Sequence, residues 1–532
     1  MKTHCPVSLS LFALAALSGS VSAGNSSSAP IQLAWGFGGS AYQIEGAWNV
    51  DGKLPSVQDT FFQKNTSSPN GNVAADHYHR MQSDLAYLSQ LNATAYRFSV
   101  SWSRILPNCT GEVNQAGINF YSNMIDTIRA NGAEPFLTML HWDIPQACED
   151  RYGGFLSPQI IADFTNYASV LFDNFGDRVR YWLTQNEIDS MCDGGYATAR
   201  WGPGLTGGTS ARFQCVKNAL LAHAQITHLG RQKMGNRKWL FSIPTIMPWV
   251  EPNDPTSEND VTAQQMMLIQ NVGSVLEPCI TGNYPSEILS GPFAMAGLVP
   301  FNSTEQSILK GTIDFIGLNY YTVEFVSGNG STIEGANGQH TPSLPTGVPW
   351  QFVYPPGAEK FPNWLYDRYN LDIYITEIGY ASPNEGEMTL QQIMNDPYRL
   401  QFWQSHFTYI INSINDGTPI KAVLAWALLD NFEWGSYDQR FGCIAVDYTN
   451  GTLTRTVKPA ARWLSGAFSQ FQNPFVGDLP APSPSVNATT ATLPTASTSP
   501  TQTTSAAPVR PAFGLGSLVA IIMLGFASVM WA

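Results

Sequence analysis

Apolar residues in this chain follow two alternating patterns. Short apolar runs recur at 33–38, 95–99, 134–140, 181–186, 240–246, 314–319, 373–377 and 422–428. Most precede longer stretches, such as 159–175, where apolar positions return at helical spacing. Strand-like runs alternating with amphipathic helices predict an α/β fold built on a parallel sheet. Alternation alone leaves two forms open, an open α/β sheet and a closed (β/α)8 TIM barrel. Polar and aromatic residues cluster at the C-terminal ends of the runs, and this favours the barrel, which sets all eight ends around one mouth.

No linker or short-period repeat interrupts residues 24–472, which are read as one catalytic barrel. Residues 1–23 have the form of a secretory signal peptide: Lys2, then an apolar stretch over 9–17, then Val21-Ser22-Ala23 as a small-residue cleavage site. From 473 the composition changes. Residues 473–508 are dominated by Ser, Thr, Pro and Ala, which cannot bury a core and predict an extended, O-glycosylated stalk. Residues 509–532 form a hydrophobic tail with no Lys or Arg beyond it. A membrane-spanning helix usually carries a basic flank, so the tail is read as a GPI attachment signal, with Ser499 or Ser505 near the attachment site. The expected location is extracellular, on the cell surface or wall, with the membrane met only through that lipid.

Composition narrows the chemistry. A formal net charge of −13 argues against nucleic acid as a partner. Only 13% of residues are charged, and there are 15 Trp, which suits concave aromatic surfaces and equally an aromatic core. Asn-x-Ser/Thr triplets stand at Asn25, Asn65, Asn92, Asn108, Asn302, Asn329, Asn450 and Asn487, consistent with a secreted glycoprotein. Cleavage of the leader removes Cys5 and leaves Cys109, Cys148, Cys192, Cys215, Cys279 and Cys443, free to form disulfides or to stay as buried thiols. Cys and His show no metal-ligand spacing, so neither metal nor cofactor is implied.

Two acidic residues close apolar strands: Glu187 after Tyr181-Trp182-Leu183-Thr184-Gln185-Asn186, and Glu377 after Ile373-Tyr374-Ile375-Thr376. Burying a carboxyl there is costly, and two at one barrel mouth are the equipment needed to cleave a glycosidic bond. Structural ion pairs at strand ends are the plainer explanation. The motifs decide between them. Thr184-Gln185-Asn186-Glu187 resembles the Thr-x-Asn-Glu acid/base motif of glycoside hydrolase family 1, and Ile375-Thr376-Glu377-Ile378-Gly379 resembles its nucleophile motif. Tyr42-Gln43-Ile44-Glu45-Gly46, Asp76-His77-Tyr78, Tyr96-Arg97-Phe98-Ser99 and His141-Trp142-Asp143 match further signatures in the family's order. So do Gly317-Leu318-Asn319-Tyr320-Tyr321 and Leu428-Leu429-Asp430-Asn431-Phe432-Glu433-Trp434.

The resemblance implies a β-glucosidase-type hydrolase that retains configuration, acting on terminal β-D-glucosides and also on galactosides or fucosides. Glu377 would attack the anomeric carbon, and Glu187 would protonate the leaving oxygen and later deprotonate water, the two carboxyls standing about 5–5.5 Å apart. Arg97 is expected to hold Glu377 ionised, and the Glu377 charge to raise the Glu187 pKa. Tyr321 is expected on the nucleophile and Asn186 on the sugar 2-hydroxyl. Gln43, His141, Asn319, Glu433 and Trp434 would bind the sugar, with Trp426 as a flat face beneath it. A carboxylate at Glu433 suits a neutral sugar and repels a 6-phosphate. Cys192 with Cys215 is the expected first disulfide, closing a loop just after Glu187.

The chain departs from the family pattern at three places: Ile188 stands where Pro usually follows the acid/base, Gln185 replaces an aromatic, and Ile378 replaces an Asn. Each alters the surroundings of a carboxylate. Two other readings stand beside hydrolysis: transfer of the glycosyl group to another sugar, and a catalytically weak carbohydrate-binding or receptor module on a stalk. The loops 199–208 and 327–356, where the aglycone would sit, carry no readable signal, and neither does the oligomeric state.

Overall fold

The computed structural model describes residues 31–64, 67–333 and 344–475. The signal peptide, nearly all of the stalk, the tail, and the triplets at Asn25, Asn65 and Asn487 lie outside them. Parallel strands form one sheet: β1 Ala34–Gly38, β2 Ala95–Ser99, β3 Glu134–Thr138, β4 Tyr181–Leu183, β5 Leu240–Ser242, β6 Pro244–Ile246, β7 Ile316–Tyr320, β8 Ile373–Ile378 and β9 Ile420–Ala425. The order runs β5-β4-β3-β2-β1-β9-β8-β7-β6. Segments β5 and β6 are halves of one stave: β5 pairs with β4, and β6 pairs with β7. The sheet therefore comes round on itself as a (β/α)8 barrel. Pro244 has no N–H to give a ladder, which is why that stave is broken between Ser242 and Pro244.

The expected strands are all present, with their ends adjusted. The run 181–186 stops pairing at Leu183 and the run 134–140 at Thr138, because the chain turns out of the ladder there to build the mouth. The final stave begins at Ile420 and ends at Ala425, earlier than its apolar run suggested. The helix Gln159–Phe175 matches its periodicity and buries Ile160, Phe164, Tyr167, Ala168, Leu171, Phe172 and Phe175 on one face. Gly36 is required where β1 meets β2, since a Cβ there would lie 1.7 Å from the Ala95 carbonyl oxygen.

The barrel floor is aromatic. Ala34, Ala95, Phe136, Tyr181, Phe315, Tyr374, Ala422 and Leu424 turn inward near the strand starts, with Phe136 stacked on Tyr181 at 4.1 Å. Phe475 inserts among them, its ring 5.5 Å from Tyr181 and 6.0 Å from Phe136. The folded barrel thus runs three residues past position 472, because the Phe475 ring packs among those of the floor. Two disulfides brace the loops, Cys109–Cys148 and the expected Cys192–Cys215, while Cys279 and Cys443 are buried free thiols.

Phe475→Ala should empty the centre of the floor and cost about 3–5 kcal/mol. A lowered melting temperature would register it, and truncation after Gln472 should do the same, whereas truncation just beyond Phe475 should not.

Candidate active site

The mouth is assembled where strands end. Past Leu183 the chain leaves the sheet: the Asn186 N–H donates to the Leu140 carbonyl and the Glu187 N–H to the Pro244 carbonyl, both at 2.9 Å. Glu187 then takes a left-handed conformation, φ 44° and ψ 62°, and starts the short helix Ile188–Cys192. For a residue with a Cβ this costs on the order of 1–2 kcal/mol. Trp142 and Trp434, at the same mouth, also have positive φ, at 72° and 42°. Strained backbone of this kind persists only where the surroundings over-determine it. Glu377 lies within β8, where the pairing with β7 slips between Ile375 and Glu377 and re-aims the carboxyl.

One hydrogen-bonded network joins the two carboxyls. Arg97, 1% exposed, donates to Glu377 at 2.5 Å, to Asn186 Oδ1 at 2.6 Å and to Thr138 Oγ1 at 3.0 Å. Tyr321 Oη donates to the other Glu377 oxygen at 2.8 Å. Asn319 Nδ2 donates to Glu187 at 2.6 Å and to Asn186 Oδ1 at 3.2 Å, while its own Oδ1 accepts from Thr376 at 2.8 Å. Asn319, expected as a sugar ligand, makes these hydrogen bonds within the protein and orients Glu187.

A cavity open to solvent stands above this network. Glu187, Glu377, Asn186, Tyr321, His141, Trp426, Glu433 and Trp434 line it, as the motifs predict. Gln43 sits behind Glu433, donating to it at 3.1 Å, and does not line the wall. The rings are layered: His141 stacks on Trp426 at 5.6 Å and on Trp434 at 6.1 Å, and Trp142 stacks on Trp434 at 4.3 Å. Ile246, Trp350, Phe441 and Trp142 complete the lining without having been expected there as site residues. Ile246 closes a strand and Phe441 lies in a loop after the last stave, so nothing local marks either. Trp350 lies within the loop 327–356, and a lone loop tryptophan gives no clue to the wall it meets.

Burial raises both carboxyls, and their partners separate them. It pushes the Glu187 pKa well above the usual range, and the neighbouring Glu377 charge adds to the shift, against the Asn319 hydrogen bond and the Arg97 charge. Glu377 is raised too, chiefly by burial, with Arg97 and Tyr321 pulling it back. Arg97 pairs with Glu377 and favours its ionised form as expected, but burial is the larger effect, so the net shift of Glu377 is upward. Burial and the Arg97 charge hold His141 well below its ordinary value, so its ring is neutral and its Nε2 accepts from Asn186 at 3.2 Å. Burial pushes Glu433 up to about 8. At neutral pH Glu433 is therefore largely protonated, and charge repulsion against a phosphate no longer follows from it. Chemically, the site pairs a carboxyl whose protonated form burial favours with a second carboxyl held by a guanidinium, across a cavity walled by flat rings. Among the described residues no cluster of His, Cys, Asp or Glu could hold a metal ion.

The glycosyl hydrolase family 1 model matches residues 26–471. The chain belongs to that family. Its curated relatives include raucaffricine-O-β-D-glucosidase of Rauvolfia serpentina, 37% identical, with 82% of this chain and 91% of that protein covered. Beta-glucosidase 12 of Oryza sativa subsp. japonica is 36% identical at the same coverage. A β-glucosidase from the fungus Humicola insolens in complex with glucose superposes with TM-score 0.79 and 32% identity, covering 83% of this chain and 99% of that one. A rice β-glucosidase mutant in a covalent complex with Glc gives TM-score 0.77 and 32% identity, covering 82% and 98%. This glycosyl hydrolase is thus a glycosidase with β-glucosidase relatives over its whole barrel.

Glu433→Gln tests the burial of that carboxyl. Its pKa is raised on folding, so its protonated form is the one the fold tolerates, and wild type loses stability as pH rises from about 4.5 toward about 8. The variant should show a melting temperature increasingly above wild type across that window. The advantage should disappear below it.

Proposed function

We propose that this family 1 enzyme is a retaining β-glycosidase that removes β-D-glucosyl residues, and with them galactosyl or fucosyl residues, from exposed non-reducing ends. The observation that carries the reading is the unequal treatment of two buried carboxyls in one cavity. Glu377, held by Arg97 and Tyr321, suits a nucleophile. Glu187, held only by the neutral amide of Asn319 and raised further, suits a general acid.

In the first step a Glu377 oxygen bonds to the anomeric carbon as the bond to the aglycone oxygen breaks. The Glu187 proton passes to that oxygen. In the second step Glu187 takes a proton from water, whose oxygen displaces Glu377 and restores the starting configuration. The covalent glucose complex of the related rice mutant supports this course. A neutral sugar suits the wall, because Glu433 is largely uncharged, His141 is neutral, and among the described residues no Lys or Arg lines the cavity. Secretion and a lipid anchor on a glycosylated stalk remain part of the proposal on sequence grounds. The side chains of Asn92, Asn108, Asn302, Asn329 and Asn450 are exposed, as glycosylation would need.

The test is the configuration of the first product from 4-nitrophenyl β-glucoside, followed by NMR. Wild type should release the β-anomer, and Glu377→Gln should release no detectable sugar. Glu187→Gln should lower kcat/KM on glucosides with poor leaving groups by about 10²–10⁴ and remove the loss of activity as pH rises. An α-anomer would sink retention. A folded wild type that turns over no gluco-, galacto- or fucoside would favour a binding module instead.

A further inference from the structure

The acid/base segment departs from its family at Gln185 and Ile188, and the structure shows what Gln185 does. Its Nε2 donates to the Ala219 carbonyl at 2.9 Å, on the long helix Gly208–Lys233. That helix takes hold of the same segment at three further points. Thr184 Oγ1 meets His223 Nδ1 at 2.8 Å. Burial holds the His223 pKa down at about 3, so its ring is neutral. His223 Nε2 faces the Thr312 carbonyl at 3.0 Å and must carry the ring proton, which leaves Nδ1 to accept from the Thr184 hydroxyl. Beyond Glu187, Arg212 grips Asp189 with two nitrogens, at 3.0 and 2.5 Å, and Cys215 is disulfide-bonded to Cys192.

Positions 212, 215, 219 and 223 are spaced three, four and four residues apart, a single stripe on one face of the helix. Two of the ties fall before Glu187 and two after it. Glu187 itself is held in a strained left-handed conformation, with backbone bonds to Pro244 and from Met191. None of the tying side chains lines the cavity.

We propose that this stripe of the helix Gly208–Lys233 positions Glu187 for proton transfer, with Asp189, Arg212, Cys192 and Cys215 as positioning residues for the acid/base step. The inference rests on the assignment of Glu187 as acid/base. A clamp that straddles a strained residue fixes where its carboxyl stands relative to the leaving oxygen. Loosening the clamp degrades proton delivery and leaves the nucleophile, on β8, as it was.

Leaving-group dependence separates this from general loosening. Departure of 2,4-dinitrophenolate needs no proton, whereas departure of phenolate does. Asp189→Asn, and separately Cys192→Ser combined with Cys215→Ser, should lower kcat/KM for phenyl β-glucoside by roughly tenfold or more and leave 2,4-dinitrophenyl β-glucoside within about twofold. Azide should restore the second step for both variants, by replacing the water that Glu187 must deprotonate. Asp189→Arg combined with Arg212→Asp should recover most of the phenyl glucoside activity. Cys109→Ser with Cys148→Ser, which removes the disulfide that does not touch this segment, should affect both substrates alike. Equal losses on both glucosides in the Asp189→Asn variant, or no loss on either, would overturn the proposal even if the cysteine variant fails to fold. Wild type that turns over neither glucoside would overturn the function reading, and the clamp with it.

Discussion

The site depends on one buried cation. Arg97 leaves β2 inside the barrel, 1% exposed, and taking a guanidinium out of water costs several kcal/mol unless its donors are met. They are met from three other staves: Thr138 on β3, Asn186 just past β4, and Glu377 with the Thr376 carbonyl on β8. Asn186 passes the constraint to Asn319, and Asn319 passes it to Glu187. One buried charge thus links both carboxyls in a single network. The bond is weak evidence for stability, since a buried pair seldom repays its desolvation; what it supplies is geometry.

Burial acts on every ionisable group at the mouth in the same direction, against charge. It raises Glu187, Glu377 and Glu433 and lowers His141. What distinguishes the groups is the partner each has been given. Glu377 has a cation and a phenol; Glu187 has a single amide. Burial and a short set of unequal partners can therefore divide two identical side chains between opposite chemical roles. The stacked rings of His141, Trp426, Trp434 and Trp142 add flat faces to the wall around these carboxyls.

Much of this was legible in the chain. Periodicity located every stave, because a strand buried on both faces must be apolar along its length, and the helix Gln159–Phe175 shows its buried face in its spacing. Motif order located Glu187, Glu377, Arg97, Asn186 and Tyr321, because their chemistry tolerates few substitutes. Less was legible where a residue's work depends on what stands opposite. Asn319 reads as a sugar ligand in its motif, yet its amide is bonded to Glu187 and Asn186. Phe475 sits at the edge of a stalk-like composition, yet its ring fills the barrel floor. Ile246, Trp350 and Phe441 are ordinary apolar residues until three separate segments bring them to one wall.

The sequence by itself determined the barrel, the family and the identities of the groups that can donate, accept or attack, because these follow from local period and residue chemistry. Tertiary structure alone decided the protonation balance, since that depends on burial and on distances between side chains such as Arg97 and Glu377, 280 positions apart. It alone decided how Glu187 is held, since the stripe of helix that grips its segment becomes a stripe only when chain positions 184–192 and 212–223 fold against each other. Local pattern fixes what a residue can do; the enclosing fold fixes its dielectric and its partners, and those set which of its states is populated.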